Sequence, residues 1–310
     1  VSKPAARVLL QVALSAVVLA VVLCRADVRQ VVAHLADVRL WVLLPAALLC
    51  VFDRWVMAFK WRMLLRVRGI HCRLSEVFRL YYVSSFIGSF LPFGVAGDLA
   101  RGVWMSREGY QSRDVASSIV LERVLGVASS ACMAAVCAGI LQFRLGAEVT
   151  PLLIFSGVLL GGVTLFIAAS FLPVLTSWVP GRGLAPVRWM VDVHASMAAY
   201  RHHVPTLVAF FALTLAEQCL PVAVHVVTAR ALGLTVPATV FLLTVPIAQM
   251  VARMPVSYNG IGVMEGVLAY AFLSLGLSQT QAVSVALLSE IVGMLSLVPA
   301  VFMLRSGKKS

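Results

Sequence analysis

Acidic side chains are scarce: 310 residues hold 13 Asp and Glu against 25 Lys and Arg, and charged residues of both signs make up only 12%. A soluble domain ordinarily carries about 25%, so most of this chain cannot face water. Segments alternating apolar and polar residues are also missing, which argues against a membrane-spanning barrel of strands. Cysteine pairs are absent too: the six cysteines (Cys24, Cys50, Cys72, Cys132, Cys137 and Cys219) form no CxxC and mostly lie in apolar runs, where a thiol acts as a small hydrophobe. Neither a disulfide framework nor a metal site is indicated, and no cofactor is expected. No Walker loop, GxSxG, HExxH or DxD run occurs, and no loop is long enough for a nucleotide-binding domain. An enzyme with a soluble catalytic domain and an ATP-driven pump are both disfavoured.

What is present is hydrocarbon. The hydrophobic share is 61% and the mean hydropathy +0.97, the composition of a polytopic all-α membrane protein. Apolar runs such as Val8 to Leu23, Leu152 to Leu172 and Ala282 to Leu304 approach the ~20 residues a helix needs to cross a bilayer. Lys3 and Arg7 precede the first run, but no convincing small-x-small cleavage site follows, so it is taken as a retained span. Six full crossings are expected, at roughly 5–24, 40–62, 113–142, 150–172, 205–229 and 278–304. Two further stretches, 75–106 and 237–275, are interrupted by Pro92, Gly94 and Gly97 in one and by Pro255, Asn259, Gly260 and Gly262 in the other. Each is expected to form a re-entrant helical hairpin, its break buried in protein or lining a wet cavity, because irregular backbone is not tolerated in lipid.

Seventeen of the 25 basic residues, Lys60 and Arg101 among them, fall on the N-terminal side of this topology and six on the other, with Arg54 and Arg123 inside spans. The bias places both termini in the cytoplasm and the protein in the cytoplasmic (inner) membrane. The net charge of +12 belongs to short loops beside anionic lipid at the cytoplasmic surface, not to nucleic acid. Segment 180–203, with Trp189, Met190, Val193, Met197 and Tyr200 among Arg188, Arg201, His202 and His203, is expected as an amphipathic helix on that surface. Gly157 and Gly161 form a GxxxG, ordinarily a sign of close helix packing.

The chain is expected to be a single transmembrane domain, 1–310, containing a repeat. Pro92, Gly97, Gly109, Ser117, Leu121 and Gly126 recur in order as Pro255, Gly260, Gly276, Ser284, Leu288 and Gly293. The halves, roughly 75–142 and 237–304, run in opposite directions through the proposed topology. Such an inverted repeat is a plan common in transporters, which place broken helices at the substrate site.

Six acidic residues fall in or beside intramembrane segments: Asp53, Asp98, Glu122, Glu217, Glu265 and Glu290. An ionised group near a helix centre costs ~3 kcal/mol or more, so partners, water or protonation are required. Asp98 and Arg101, three residues apart, share a helix face, whereas Asp53 with Arg54 and Glu122 with Arg123 diverge by about 100° and are expected to pair with different helices. Glu217 has no basic residue in the ten positions before it. It either takes a partner from another helix or stays neutral and bonds a carbonyl, the reading preferred on local sequence; in either form it is a candidate for proton coupling, with Asp53 and Arg54.

LPFGVAGDLARG, SIVLERVLG, MPVSYNGIGVMEG and ALLSEIVG together resemble the motifs of the lysylphosphatidylglycerol synthase transmembrane-region family, from about Lys60 to Leu304. Members of that family are flippase-like integral membrane proteins. In multiple peptide resistance factor proteins this region is joined to a soluble aminoacyltransferase domain, which does not follow here before the closing RSGKKS. Stand-alone relatives have been linked to hopanoids and polyprenyl-phosphate sugars. The resemblance therefore implies movement of a membrane lipid across the bilayer without naming the lipid. Asp98, Arg101, Glu122, Arg123, Glu265 and Glu290 are the expected substrate-binding residues, with Arg101 and Arg123 attracting phosphate and the carboxylates holding them or exchanging protons. The alternatives are an intramembrane head-group or glycosyl transferase and an accessory scaffold of lipid or envelope biosynthesis. Assembly as a homo-oligomer is left open.

Overall fold

Helix length separates two kinds of element in this bundle. The computed structural model describes residues 28–36, 38–89, 96–145, 150–171, 185–252, 263–274 and 278–305, and every regular element among them is helical. In order they are α1 (Val28–Ala36), α2 (Leu43–Val67), α3 (Leu74–Ser89), α4 (Ala96–Arg107), α5 (Ser112–Leu145), α6 (Thr150–Phe171) and α7 (Ala185–Ala198). Then follow α8 (Val204–Glu217), α9 (Cys219–Ala231), α10 (Ala238–Ala252), α11 (Val263–Ser274), α12 (Gln279–Ser296) and α13 (Ala300–Arg305). Short 3-10 turns lie at Leu40–Val42 and Ala199–His202.

Four stretches are long and apolar enough to cross a membrane: Ser112–Phe143, Leu153–Ser170, Val204–Ala231 and Gln279–Leu304. These match four of the six expected crossings. The expected crossing at 5–24 lies outside the described residues. The one at 40–62 is α2, whose 25 residues extend ~37 Å at 1.5 Å each but carry Asp53, Arg54 and Lys60 along the way. Large apolar side chains stand exposed on the outer faces: Leu44, Leu48 and Phe52 on α2, Ile154, Val158 and Leu165 on α6, Ile291 and Leu295 on α12. Surfaces of that extent belong in lipid, and the chain is a multi-pass membrane protein.

The expected crossing at 205–229 is the span Val204–Ala231, with a one-residue turn at Gln218 dividing it into α8 and α9. The reason is Pro221, which has no N–H for the carbonyl of Glu217 and whose ring crowds it. The joint sets Glu217 and Gln218, both buried, deep in the bundle.

α3 and α4 pack against each other, and so do α10 and α11. With 16, 12, 15 and 12 residues, they extend only ~18–24 Å, short of the ~30 Å core. Pro92, Gly94, Pro255, Asn259, Gly260 and Gly262 lie outside the described residues. Gly97, expected in the first break, lies instead inside α4, where a Cβ would stand 2.7 Å from the carbonyl oxygen of Ser84 on α3. Gly97 thus permits contact between helices. Gly97→Ala forces α3 and α4 apart and is expected to cost about 1–3 kcal/mol, measured as a lower Tm in detergent; an unchanged Tm contradicts this contact.

The GxxxG expectation is corrected similarly. A Cβ at Gly157 or Gly161 meets nothing within 4 Å, because both face outward on α6.

α5 is the central helix, packing against α2, α4, α6, α7, α8 and α10. At its N-terminal end Arg68 Nη2 donates to Asp114 Oδ1 at 2.7 Å, and Ser196 Oγ on α7 donates to the same oxygen at 2.6 Å. Tyr200 donates to the carbonyl of Leu64 at 3.1 Å. Val193 and Met197 on α7 and Tyr200 in the 3-10 turn after it are buried, while Trp189 is exposed. α12 starts from a capping box, Ser278 and Gln281 each bonding the other's backbone N–H.

Candidate functional site: two ion clusters and a polar cavity

α2 carries Asp53 and Lys60 seven residues apart, two turns, so both lie on one face. Lys60 is buried; its Nζ donates to Thr214 Oγ1 at 3.1 Å and pairs with Glu217, both on α8, while the Phe210 ring centroid lies 5.3 Å away. Two expectations change here. Glu217 takes its partner from another helix and is not a carboxyl bonded to a carbonyl, and Lys60 is an interior ion, not a loop charge.

Asp53, also buried, pairs with its own neighbour: Arg54 Nη2 reaches back to Asp53 Oδ2 at 3.3 Å, while Nη1 donates to Met57 Sδ at 3.4 Å. The 100° divergence that predicts separate partners is overcome by the length of the arginine side chain. Asp53 Oδ1 receives no hydrogen bond from any described residue.

The second cluster is built on α4 and α5. Arg101 pairs with Asp98, as the three-residue spacing predicts, and donates from Nη1 to Glu122 Oε2 at 3.0 Å. Tyr81 donates to the other oxygen of Glu122 at 2.7 Å, and Arg123 Nε donates to Asp98 Oδ2 at 2.5 Å. Glu122 and Arg123 therefore take different partners, as their divergence predicts. The Arg101 guanidinium lies over two rings, 4.6 Å from the Trp61 centroid and 4.2 Å from that of Tyr81. Trp61 is itself oriented by its Nε1 donating to Ser118 at 3.0 Å. Asp98 sits in the first turn of α4, where the positive helix end favours a carboxylate. In this arrangement the fork of Arg101, buried to 2% exposure, holds carboxylates, whereas the Arg123 side chain is 54% exposed.

A cavity of about 260 Å³ lies among α2, α3, α9, α10 and α12, with Asp53, Arg54, His225, Gln249, Ser289 and Glu290 in its wall. His225 is buried, and its Nδ1 lies 2.8 Å from the carbonyl of Pro221. A carbonyl only accepts, so Nδ1 donates and the neutral ring bears its lone pair on Nε2. That nitrogen has no partner among the described residues. Ser289 is tied to Thr228 at 2.8 Å.

The expected substrate residues are thus divided. Asp98, Arg101, Glu122 and Arg123 meet in one cluster, Glu290 joins Asp53 and Arg54 at the cavity, and Glu265 occupies the third position of α11, its side chain outside the described residues. The sequence reading did not assign Lys60, Trp61, Tyr81, His225 or Gln249. The seven-residue spacing of Asp53 and Lys60 was the available signal for Lys60; the others carry no local one. Among the described residues no group of three metal-ligating side chains occurs.

A helical bundle with apolar outer walls and salt-bridged side chains in its interior is an integral membrane protein with a charged cluster inside it. Its sequence matches the lysylphosphatidylglycerol synthase TM region family over residues 8–300, and the chain belongs to that family. Membership relates it to lipid biosynthesis or translocation. No curated protein matches the chain.

Proposed function

We propose that this protein moves a lipid with an anionic phosphate head group, such as a phospholipid or a polyprenyl phosphate, between leaflets of the cytoplasmic membrane. The observation that carries this reading is the cavity: a largely apolar pocket with Asp53, Arg54, His225, Gln249 and Glu290 in its wall, within a bundle whose outer faces are apolar. A head group needs such a pocket to leave the interface, and its acyl chains need none. Arg54 is the residue we assign to phosphate, because its side chain is 35% exposed and tied to a single carboxylate, while Arg101 is held by two. Arginine suits phosphate through its planar fork of donors. The short pairs α3–α4 and α10–α11 act as re-entrant hairpins of two inverted halves, which rock to expose the cavity to each side in turn, with both termini in the cytoplasm.

The test is reconstitution. Liposomes holding the protein and fluorescent phosphatidylglycerol or a labelled polyprenyl phosphate are expected to exchange label between leaflets, detected by quenching the outer leaflet. Arg54→Ala removes a charge-assisted contact of about 1.5–3 kcal/mol, and each 1.4 kcal/mol is tenfold, so exchange slows by about tenfold or more. Rates equal to protein-free vesicles with every lipid overturn the proposal.

A further inference from the structure

We infer that the cavity is also the binding site of a coupling proton, taken up on the Asp53 carboxylate together with the lipid phosphate on Arg54. The inference rests on the lipid reading above and adds the ion that drives it.

The geometry is that of two ligand sites closed upon each other. Asp53 and Arg54 pair at 3.3 Å at the cavity wall, so in this state the arginine's positive charge is already answered. An entering phosphate competes with a carboxylate fixed one residue away, and the two like charges repel. A proton arriving on Oδ1, the oxygen no described residue bonds, neutralises the carboxylate without moving the backbone. Arg54 is then released to the phosphate. Proton and phosphate monoanion enter together, and the site gains no net charge. After reorientation the phosphate leaves, the proton passes from Asp53 to water on the far side, and the Asp53–Arg54 pair closes again.

The surroundings suit this step. The charged and titratable groups around the pair are Cys50 and Lys60 on α2, Tyr81 and Tyr82 on α3, Glu122 on α5 through Tyr81, Glu217 on α8, His225 on α9 and Glu290 on α12. Lys60 is committed to Glu217, and Glu122 to Arg101 and Tyr81. His225 lines the same cavity, and its Nε2 has no partner among the described residues, a second acceptor by which a proton moves through the pocket. A metal cation fits less well: the Arg54 guanidinium repels it, and no group of three metal-ligating side chains occurs among the described residues.

The experiment uses the full chain in liposomes with a pH step of one unit and no other gradient. With one proton per monoanionic lipid, labelled phosphatidylglycerol is expected to accumulate up to about tenfold in the leaflet facing the more alkaline side, because one pH unit is 1.4 kcal/mol and a tenfold ratio. A pH dye inside the vesicles should record proton entry that requires added lipid. In Asp53→Asn the rate of movement no longer varies with pH, whereas in the wild type it rises as pH falls. Wild-type movement with the same leaflet distribution with and without the pH step overturns the proton site while leaving lipid movement standing. A distribution that follows a sodium gradient instead also overturns it. No lipid movement under any gradient overturns both readings.

Discussion

Replacing Lys60 by methionine is expected to destabilise the protein by about 3–5 kcal/mol, the usual cost of removing one partner from a buried ion pair. The cation lies at 3% exposure between Glu217, Thr214 and the face of Phe210. Without it, Glu217 is left in a buried joint between α8 and α9, next to Asp53, another carboxylate. Two like charges with no counter-ion between them must either protonate or admit water, and both loosen the packing of α8 on α2. The comparison that isolates the charge from the packing is Lys60→Met with Glu217→Leu. Removing both ions with side chains of similar volume is often neutral, so the double variant should recover most of the loss. Unfolding followed by tryptophan fluorescence in detergent measures both; a double variant no better than the single one contradicts the pairing.

Arg101→Met should have an effect as large. Its guanidinium bonds both Asp98 and Glu122 and lies over the touching rings of Trp61 and Tyr81, so its loss leaves two carboxylates and two rings without a cation. About 3–5 kcal/mol is expected from the ion pairs, with ~0.5–2 kcal/mol more from each desolvated ring contact. Arg101→Lys should recover little, because a point charge cannot bond two carboxylates and lie over two rings at once. Arg54→Ala offers the contrast: the arginine is a third exposed though Asp53 is buried, so Tm should fall by less than in Arg101→Met, which unpairs two carboxylates, while lipid movement falls. The three arginine variants thus separate what holds the bundle together from what faces the cavity.

The bundle was largely legible in the sequence. Continuous apolar runs gave the long spans, and the breakers marked the short pairs, because both signals are local. The crossing at 205–229 was legible too, and the turn at Gln218 within it has a local cause in Pro221, three residues further on. Within the site, i and i+3 neighbours such as Asp98 and Arg101 were legible from spacing alone. Contacts between distant helices were not. Nothing near Glu217 points to Lys60, 157 positions earlier, and a lysine close to a span's end looks like a loop charge until the fold folds it inward. For the same reason spacing along α12 does not show that Glu290 borders the same cavity as Asp53 and Arg54; helix packing brings them together.

Alternating exposure of the cavity is the central claim, and side-specific labelling tests it most directly. Gln249 borders the cavity from α10, so Gln249→Cys in a chain with all six native cysteines replaced places one thiol there. In oriented proteoliposomes a membrane-impermeant thiosulfonate is expected to modify that thiol when added from either side, and excess phosphatidylglycerol should slow both reactions. A thiol that reacts from neither side, or from one side only whatever the lipid or pH, while reacting fully in the unfolded chain, would contradict it.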